Sequence, residues 1–215
     1  MTSKDMTEKA TPRRKGKGDN TFILAMQQIT DNIQKNIEFL RQHADQVIRF
    51  VETIEKTAKK GNCIFVVGSG RSAMVGQMFQ TRLEHLDIPV FFVTNSRSVP
   101  YLQKGDLILV ISGSGRTPIV KAILESYLDQ NPKIISITSY PESWLGRISD
   151  LVVQLIGRTK IDIARREKGE AASLTPEGTQ FEIASAIFLD GVIAELVHRF
   201  KKSNADLTAR HSQST

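Results

Sequence analysis

A stretch rich in glycine and serine, Ser112-Gly113-Ser114-Gly115-Arg116-Thr117, directly follows the apolar run Leu107–Ile111. Pro118 comes next and opens a second apolar segment, so the pattern predicts a strand, a tight turn and a helix capped by Thr117. Glycines let backbone amides approach a ligand closely, and the N-terminus of a helix favours negative charge. Three hydroxyls and one guanidinium add further donors. We interpret residues 112–117 as a phosphate-binding loop, although a flexible Gly/Ser connector has the same composition.

A second glycine-rich stretch, residues 68–72 (Gly-Ser-Gly-Arg-Ser), follows the apolar run Cys63–Val67. Neither loop contains the lysine of a nucleotide-binding P-loop, so a small phosphorylated metabolite fits better than ATP. Residues 68–72 could also begin a dinucleotide fingerprint in which Ala73 is the third small residue. NAD binding is the weaker alternative, because no acidic residue follows the next apolar run to bind the ribose.

Apolar runs alternate with helical patterns along the chain, at residues 63–67, 89–93, 106–111, 133–138 and 150–155. Continuous Val/Ile/Leu/Phe runs are typical of parallel strands buried on both faces, and their alternation with helices predicts a three-layer α/β/α fold. We predict a five-stranded parallel sheet in the flavodoxin-like order 2-1-3-4-5. Both glycine-rich loops, with Ser72 and Ser139, then meet at the carboxyl edge of the sheet, where ligands bind in such folds.

Residues 21–202 are predicted to form a single domain between a disordered basic extension (1–20) and a polar tail (203–215). Apolar residues spaced by three, four and seven run from Met26 to Ala58, and one helix of that length would exceed the width of the domain. We therefore expect either two helices with a break between about residues 36 and 46 or a helix that projects into a partner subunit. The length of the apolar stripe predicts a homo-oligomer, with a tetramer as the expected form.

The net charge of +6 comes from the chain ends. Residues 1–20 carry six Lys/Arg and three acidic residues, and residues 198–215 carry four Lys/Arg and one acidic residue. Residues 21–197 have no net charge. A folded body without basic excess argues against specific nucleic-acid binding. No apolar run reaches membrane-spanning length and no signal-peptide pattern is present, so we expect a cytoplasmic protein without membrane contact. One cysteine and four scattered histidines exclude an internal disulfide and predict no metal site.

Glu182 and His85 are the candidate catalytic residues. Glu182 falls in the first turn of the last predicted helix, residues 179–202, where a carboxylate suits the helix dipole. It can act there as a base or complete a capping arrangement, and the spacing alone favours capping. His85 lies late in the helix that follows residues 68–72, where a packed or surface position is the alternative to a role in proton transfer.

Taken together, these motifs resemble the sugar isomerase (SIS) domain family. The resemblance runs from about residue 22 to about residue 202. It rests on Gly-Arg-Ser at 70–72, Ser-Gly-Ser-Gly-Arg-Thr at 112–117, Thr-Ser at 138–139 and Gly-Thr-Gln-Phe-Glu at 178–182. Within the family, these residues and the Arg-Leu-x-His-Leu pattern at 82–86 are similar to the 6-phospho-3-hexuloisomerases.

This resemblance implies interconversion of D-arabino-hex-3-ulose 6-phosphate and D-fructose 6-phosphate, the second step of formaldehyde fixation by the ribulose monophosphate pathway. It implies a tetramer without a cofactor, in which Ser72 and residues 112–117 bind the sugar phosphate and Glu182 is the base. Two residues depart from the family pattern: Arg116 stands where Glu is usual, and Glu177 stands where an apolar residue is usual.

Two alternatives remain open within the resemblance. The chain could isomerise arabinose 5-phosphate or sedoheptulose 7-phosphate, which requires only different contacts to the far end of the sugar. It could also be a sugar-phosphate sensor, because SIS domains occur in transcription regulators that carry a helix-turn-helix domain. Residues 1–60 show no such domain, and the presence of Glu182 favours catalysis.

Overall fold

Five strands form one parallel sheet in the order β2-β1-β3-β4-β5, which confirms the predicted order. We analysed a computed structural model, which describes residues 20–93, 100–157 and 174–203. The strands are β1 (Ile64–Gly68), β2 (Val90–Phe92), β3 (Leu107–Ile111), β4 (Lys133–Thr138) and β5 (Leu151–Gln154). β1 and β3 are buried along their whole length, as continuous apolar runs require when helices cover both faces.

Within the described residues, six helices flank the sheet. They are α1 (Thr21–Gln42), α2 (Ala44–Lys59), α3 (Arg71–His85), α4 (Pro118–Glu125), α5 (Trp144–Ile148) and α6 (Thr179–Arg199). α4 ends at Glu125, and the chain then forms a 3₁₀ turn at Leu128–Gln130, which it leaves through the left-handed residue Asn131.

The alternating side chains of the strands divide the core into two layers. Ile64 and Val66 face a cluster that includes residues of α2, α3 and α6, whereas Phe65 and Val67 face a cluster that includes residues of α4 and α5. Both faces of the sheet are therefore covered by helices, and the predicted three-layer α/β/α arrangement is confirmed.

The predicted break in the first helical region lies at His43, which has non-helical backbone angles between α1 and α2. Asn20 caps α1, since its side chain accepts a hydrogen bond from the Ile23 N–H at 3.1 Å. The predicted disordered extension and polar tail lie outside the described residues, except for positions 20 and 203. Among the described helices, none combines the length and apolarity needed to cross a membrane.

α1 docks through polar contacts, which the apolar stripe did not predict. The residues that α1 buries are Asn32 and Asn36. The Asn36 amide binds both backbone groups of Ile156: its Nδ2 donates to the carbonyl at 2.7 Å, and its Oδ1 accepts from the N–H at 2.6 Å. Asn32 Nδ2 donates to the same carbonyl at 3.0 Å. Met26 and Ile37, which belong to the predicted apolar stripe, are 52% and 41% exposed.

Asn36→Ala should lower the free energy of unfolding by about 1–3 kcal/mol, because the Ile156 N–H loses its acceptor and the Ile156 carbonyl keeps only the Asn32 donor. Gln34→Ala, an exposed change on the same helix, is the control and should stay within about 0.5 kcal/mol of wild type. Urea unfolding measures both. Equal stability of the two variants would show that the amide contacts do not hold α1 in place.

Candidate active site

A pocket of about 560 Å³ lies beyond the carboxyl ends of β1 and β3. The N-termini of α3, α4 and α6 all contribute to its wall, so three helix dipoles direct positive potential into it. The lining residues are Ser69, Gly70, Arg71, Ser72, Gly113, Ser114, Arg116, Thr117, Pro118, Glu177, Gly178, Phe181 and Glu182.

The loop at residues 112–117 is fixed from behind by its neighbours in the fold. The Gly113 carbonyl accepts hydrogen bonds from the Ser139 N–H at 3.1 Å and from Thr138 Oγ1 at 3.3 Å. The Gly115 carbonyl accepts from the Leu145 N–H at 3.1 Å. These contacts to β4 and α5 contradict the flexible-connector interpretation of the loop.

Gly115 is required by both conformation and space. Its φ is +59°, in the left-handed region that favours glycine. A Cβ atom built there would lie 1.9 Å from Ser143 Oγ and 2.7 Å from Ser143 Cβ. The loop can therefore pack this closely against the segment before α5 only with glycine at this position.

Thr117 occupies the N-cap position of α4 with Pro118 as the first helical residue, as predicted, but its side chain makes no capping hydrogen bond. Its hydroxyl instead lies 3.1 Å from Ser112 Oγ and 3.4 Å from Ser114 Oγ. The predicted capping role of the Thr117 side chain is thus wrong. The hydroxyl belongs to a chain of three hydroxyls that runs along the loop at residues 112–117.

Of the eight residues predicted to bind substrate, five line the pocket: Ser72, Gly113, Ser114, Arg116 and Thr117. Three do not. Ser112 is 2% exposed behind the loop, and Gly115 packs on Ser143. Ser139 directs its hydroxyl away, donating to the Leu155 carbonyl at 2.7 Å, so it supports the loop rather than lining the pocket.

Glu182 lies on the opposite wall, in the first turn of α6, with its side chain 18% exposed. Its Oε2 lies 3.3 Å from Arg71 Nη2 at the start of α3. Despite this ion pair, Oε2 is buried and has no hydrogen-bond donor among the described residues. Burial raises the pKa of Glu182, while the charge of Arg71 and the backbone N–H of Glu182 itself lower it in part. A partly desolvated carboxylate of this kind is suited to accept a proton.

The capping alternative for Glu182 does not fit the helix start. The N-cap residue is Gly178, which has no side chain to complete a capping box, and Glu182 stands one position beyond the N3 residue that such a box uses. Gly178 serves another purpose. Its φ is +84°, and a Cβ there would lie 2.5 Å from Arg71 Nη2 and 2.8 Å from Glu182 Oε2.

His85 is not brought together with Glu182 in this chain. It ends α3, whereas Arg71, which begins the same helix, lines the pocket. A 15-residue helix separates its ends by about 21 Å. His85 is buried and forms a contact of its own. Its role in proton transfer therefore stays a prediction that this pocket does not support.

Arg71 and Glu177 are pocket residues that the sequence analysis did not assign to the site. Arg71 bridges α3 and α6: besides Glu182, it donates from Nη1 to Thr179 Oγ1 at 3.2 Å and from Nη2 to the Glu177 carbonyl. Its place in the second glycine-rich loop was a usable signal. For Glu177, the sequence offered no signal other than its departure from the family pattern.

Within the described part of the chain, no group of three or more His, Cys, Asp or Glu residues could hold a metal ion.

Comparison with known proteins agrees with this architecture. The SIS domain model matches residues 58–175. An uncharacterized protein of Aeropyrum pernix is 41% identical over 159 residues, covering 72% of this chain and 74% of that protein. The 3-hexulose-6-phosphate isomerase of Methanocaldococcus jannaschii is 33% identical over 152 residues, covering 71% of this chain and 77% of that protein.

A solved structure extends the agreement to three dimensions. It is that of a hypothetical protein from Methanococcus jannaschii, for which a 3-hexulose-6-phosphate isomerase function was inferred. It has a TM-score of 0.67 and 29% identity, covering 85% of this chain and 94% of that one. The chain belongs to the SIS domain family, and four of the relatives it matches are named 3-hexulose-6-phosphate isomerase.

Gly115→Ala should lower the free energy of unfolding by about 1–3 kcal/mol from its backbone conformation alone, with the contact to Ser143 adding to the loss. Gly61→Ala is the matched control, because Gly61 also has a positive φ of +71° but an added Cβ there meets no atom within 4 Å. It should lose only the conformational part of this stability and should keep the phosphate affinity of wild type. Thermal unfolding and binding of inorganic phosphate measure both variants. Retained stability and phosphate affinity in Gly115→Ala would contradict the role given to the loop.

Proposed function

We propose that the protein is a sugar-phosphate isomerase that interconverts D-arabino-hex-3-ulose 6-phosphate and D-fructose 6-phosphate, as a step of the ribulose monophosphate pathway. The observation that carries the proposal is the buried Glu182 carboxylate, which faces a phosphate-binding loop across one pocket. The M. jannaschii relative named 3-hexulose-6-phosphate isomerase supports this substrate pair over other sugar phosphates.

The phosphate group binds at the loop after β3. There the N-terminus of α4, the hydroxyls of Ser114 and Thr117 and the guanidinium of Arg116 line the pocket. Ser72 adds a hydroxyl from the first turn of α3. Hydrogen bonds to a charged phosphate are stronger than neutral ones, so these donors fix one end of the substrate.

The reaction moves a carbonyl from C3 to C2 of the sugar. The Glu182 carboxylate takes the proton from C2, the electrons of that C–H bond form the C2–C3 double bond, and the C3 oxygen becomes an enediolate oxygen. The hydroxyl proton then passes from the C2 oxygen to the C3 oxygen, and Glu182 returns its proton to C3. Substrate and product have the same oxidation level, so the reaction requires no redox cofactor.

Arg71 has two tasks in this mechanism. Its guanidinium holds the Glu182 carboxylate and the turn before α6 in one arrangement. Its positive charge, together with the dipoles of α3 and α6, stabilises the negative charge of the enediolate. Because these charges are positioned before the reaction starts, little reorganisation is needed in the transition state.

Glu182→Gln should lower kcat by roughly 10²–10⁴-fold with little change in KM, because the amide keeps the shape of the carboxylate but cannot accept the proton. The assay follows fructose 6-phosphate formation from hexulose 6-phosphate, with arabinose 5-phosphate and sedoheptulose 7-phosphate in parallel. In heavy water, deuterium should enter the sugar with wild type and not with the variant. Turnover by Glu182→Gln near the wild-type rate would contradict the role of Glu182 as the base. If the wild-type protein converted only another sugar phosphate, the proposed substrate would be wrong.

The pH profile is a further measurement on the same protein. The active form of Glu182 is the carboxylate, so activity should fall as the pH falls through a pKa that burial has raised. In Arg71→Gln this acid limb should move to higher pH, because the charge that lowers the pKa is lost. The melting temperature of Glu182→Gln at neutral pH should not fall, since the carboxylate is disfavoured by burial; a capping role requires the opposite.

We propose that the protein assembles as a homotetramer through α1, α2 and α6. These helices border an apolar groove of about 450 Å³. Ile37, Ile48 and Ile187 line it and are 41%, 45% and 45% exposed. Exposed apolar residues clustered in this way are typical of protein–protein interfaces.

Light scattering at micromolar concentration should show a tetramer for the wild-type protein. Ile48→Lys should dissociate it, because a charge would be buried in the apolar groove. Tyr101→Lys, at a residue that is 90% exposed outside the groove, is the control and should leave the assembly unchanged. A wild-type monomer, or an unchanged tetramer in Ile48→Lys, would rule out this interface.

A further inference from the structure

Glu177 is a second carboxylate in the pocket and has no role in the mechanism above. It stands directly before Gly178, the N-cap of α6, and lines the pocket with Glu182. Its backbone carbonyl is held by Arg71 Nη2, so the position of the residue is tied to the start of α3. Its Oε1 atom is buried and has no hydrogen-bond donor among the described residues.

A buried carboxylate oxygen without a donor is costly, because it has lost its hydration and gained no hydrogen bond in return. Glu177 and Glu182 each present such an oxygen on the two sides of Gly178. Two arginines, Arg71 and Arg116, line the same pocket, and Arg71 forms an ion pair with Glu182. A ligand that supplies hydroxyl donors at this wall would remove the cost at Glu177.

The chemistry of the ligand decides which of its parts can lie there. A phosphate dianion has no proton to donate and is repelled by a carboxylate. The hydroxyl groups of a sugar are donors and satisfy a carboxylate oxygen well. The pocket is therefore polarised, with anion-binding groups at the loop after β3 and hydrogen-bond acceptors at the start of α6.

We infer that Glu177 is a specificity-determining residue, which accepts a hydrogen bond from a sugar hydroxyl next to the carbons on which Glu182 acts. The inference rests on the proposed function, since it uses the same pocket and the same orientation of the substrate. It assigns the substrate to phosphates that carry a hydroxyl at this point, so that phosphate alone makes only part of the available contacts.

Calorimetry with two probes, fructose 6-phosphate and inorganic phosphate, tests the inference in the full-length protein. In Glu177→Met the affinity for fructose 6-phosphate should fall by roughly 10- to 100-fold, the usual effect of losing a hydrogen bond to a charged group. The affinity for inorganic phosphate should stay the same or rise, because a negative charge has been removed. Glu177→Gln keeps a hydrogen-bond acceptor without the charge, so its affinity for fructose 6-phosphate should lie between those of wild type and Glu177→Met.

The opposite response of the two probes separates recognition from a structural role. If Glu177 only supports the turn before α6, both affinities should fall together, and that result would overturn the inference. So would an unchanged affinity for fructose 6-phosphate in Glu177→Met, or equal affinity of the wild type for both probes. Glu84→Met, at an exposed glutamate of α3 outside the pocket, is the control. Binding requires no turnover, so an inactive wild type would contradict the proposed reaction and leave this measurement intact.

Discussion

The parallel pairing of β1 with β3 is the constraint on which the pocket depends. Their register places Gly68 opposite Ile111, so the loops that follow the two strands leave the sheet side by side. α3 and α4 begin in those loops, and α6 begins on the other wall of the same pocket. Three converging helix N-termini give the pocket its positive potential, which explains how an anion can be attracted without the lysine of a P-loop.

Burial of Glu182 acts in opposite directions on stability and on chemistry. A carboxyl group whose pKa is raised by folding destabilises the folded protein when the pH rises above the pKa that the group has in the unfolded chain. The reason is that the pocket disfavours the ionised form. The same shift makes the carboxylate a better base near neutral pH. Arg71 limits the cost, and Gly178 permits the contact, because any side chain there would collide with both groups.

The strands and the break at His43 could be predicted because they follow from local patterns, whereas the strand order follows only from the choice of the flavodoxin-like class. Parallel strands covered on both faces must be continuously apolar, and such runs are visible in one sequence. The contacts that form the walls of the pocket could not be predicted from local patterns. Arg71 meets Glu177 and Glu182 across more than a hundred residues of chain, and no periodicity encodes that contact. The glycine-rich loop indicated where a phosphate would bind, but not which hydroxyls line the pocket and which lie behind the loop.

α1 shows that an apolar pattern can be detected correctly while other residues of the same helix make the contacts that orient it. The helix attaches to the chain after β5 through the amide groups of Asn32 and Asn36, and these directed bonds fix its rotation about its own axis. With the asparagines facing inward, Ile37 remains 41% exposed beside the groove that Ile48 also lines. Had the stripe been core, its residues would be the buried ones and the asparagines would face water. The exposed apolar residues of α1 are therefore available for a contact outside the single chain, which supports the proposed assembly.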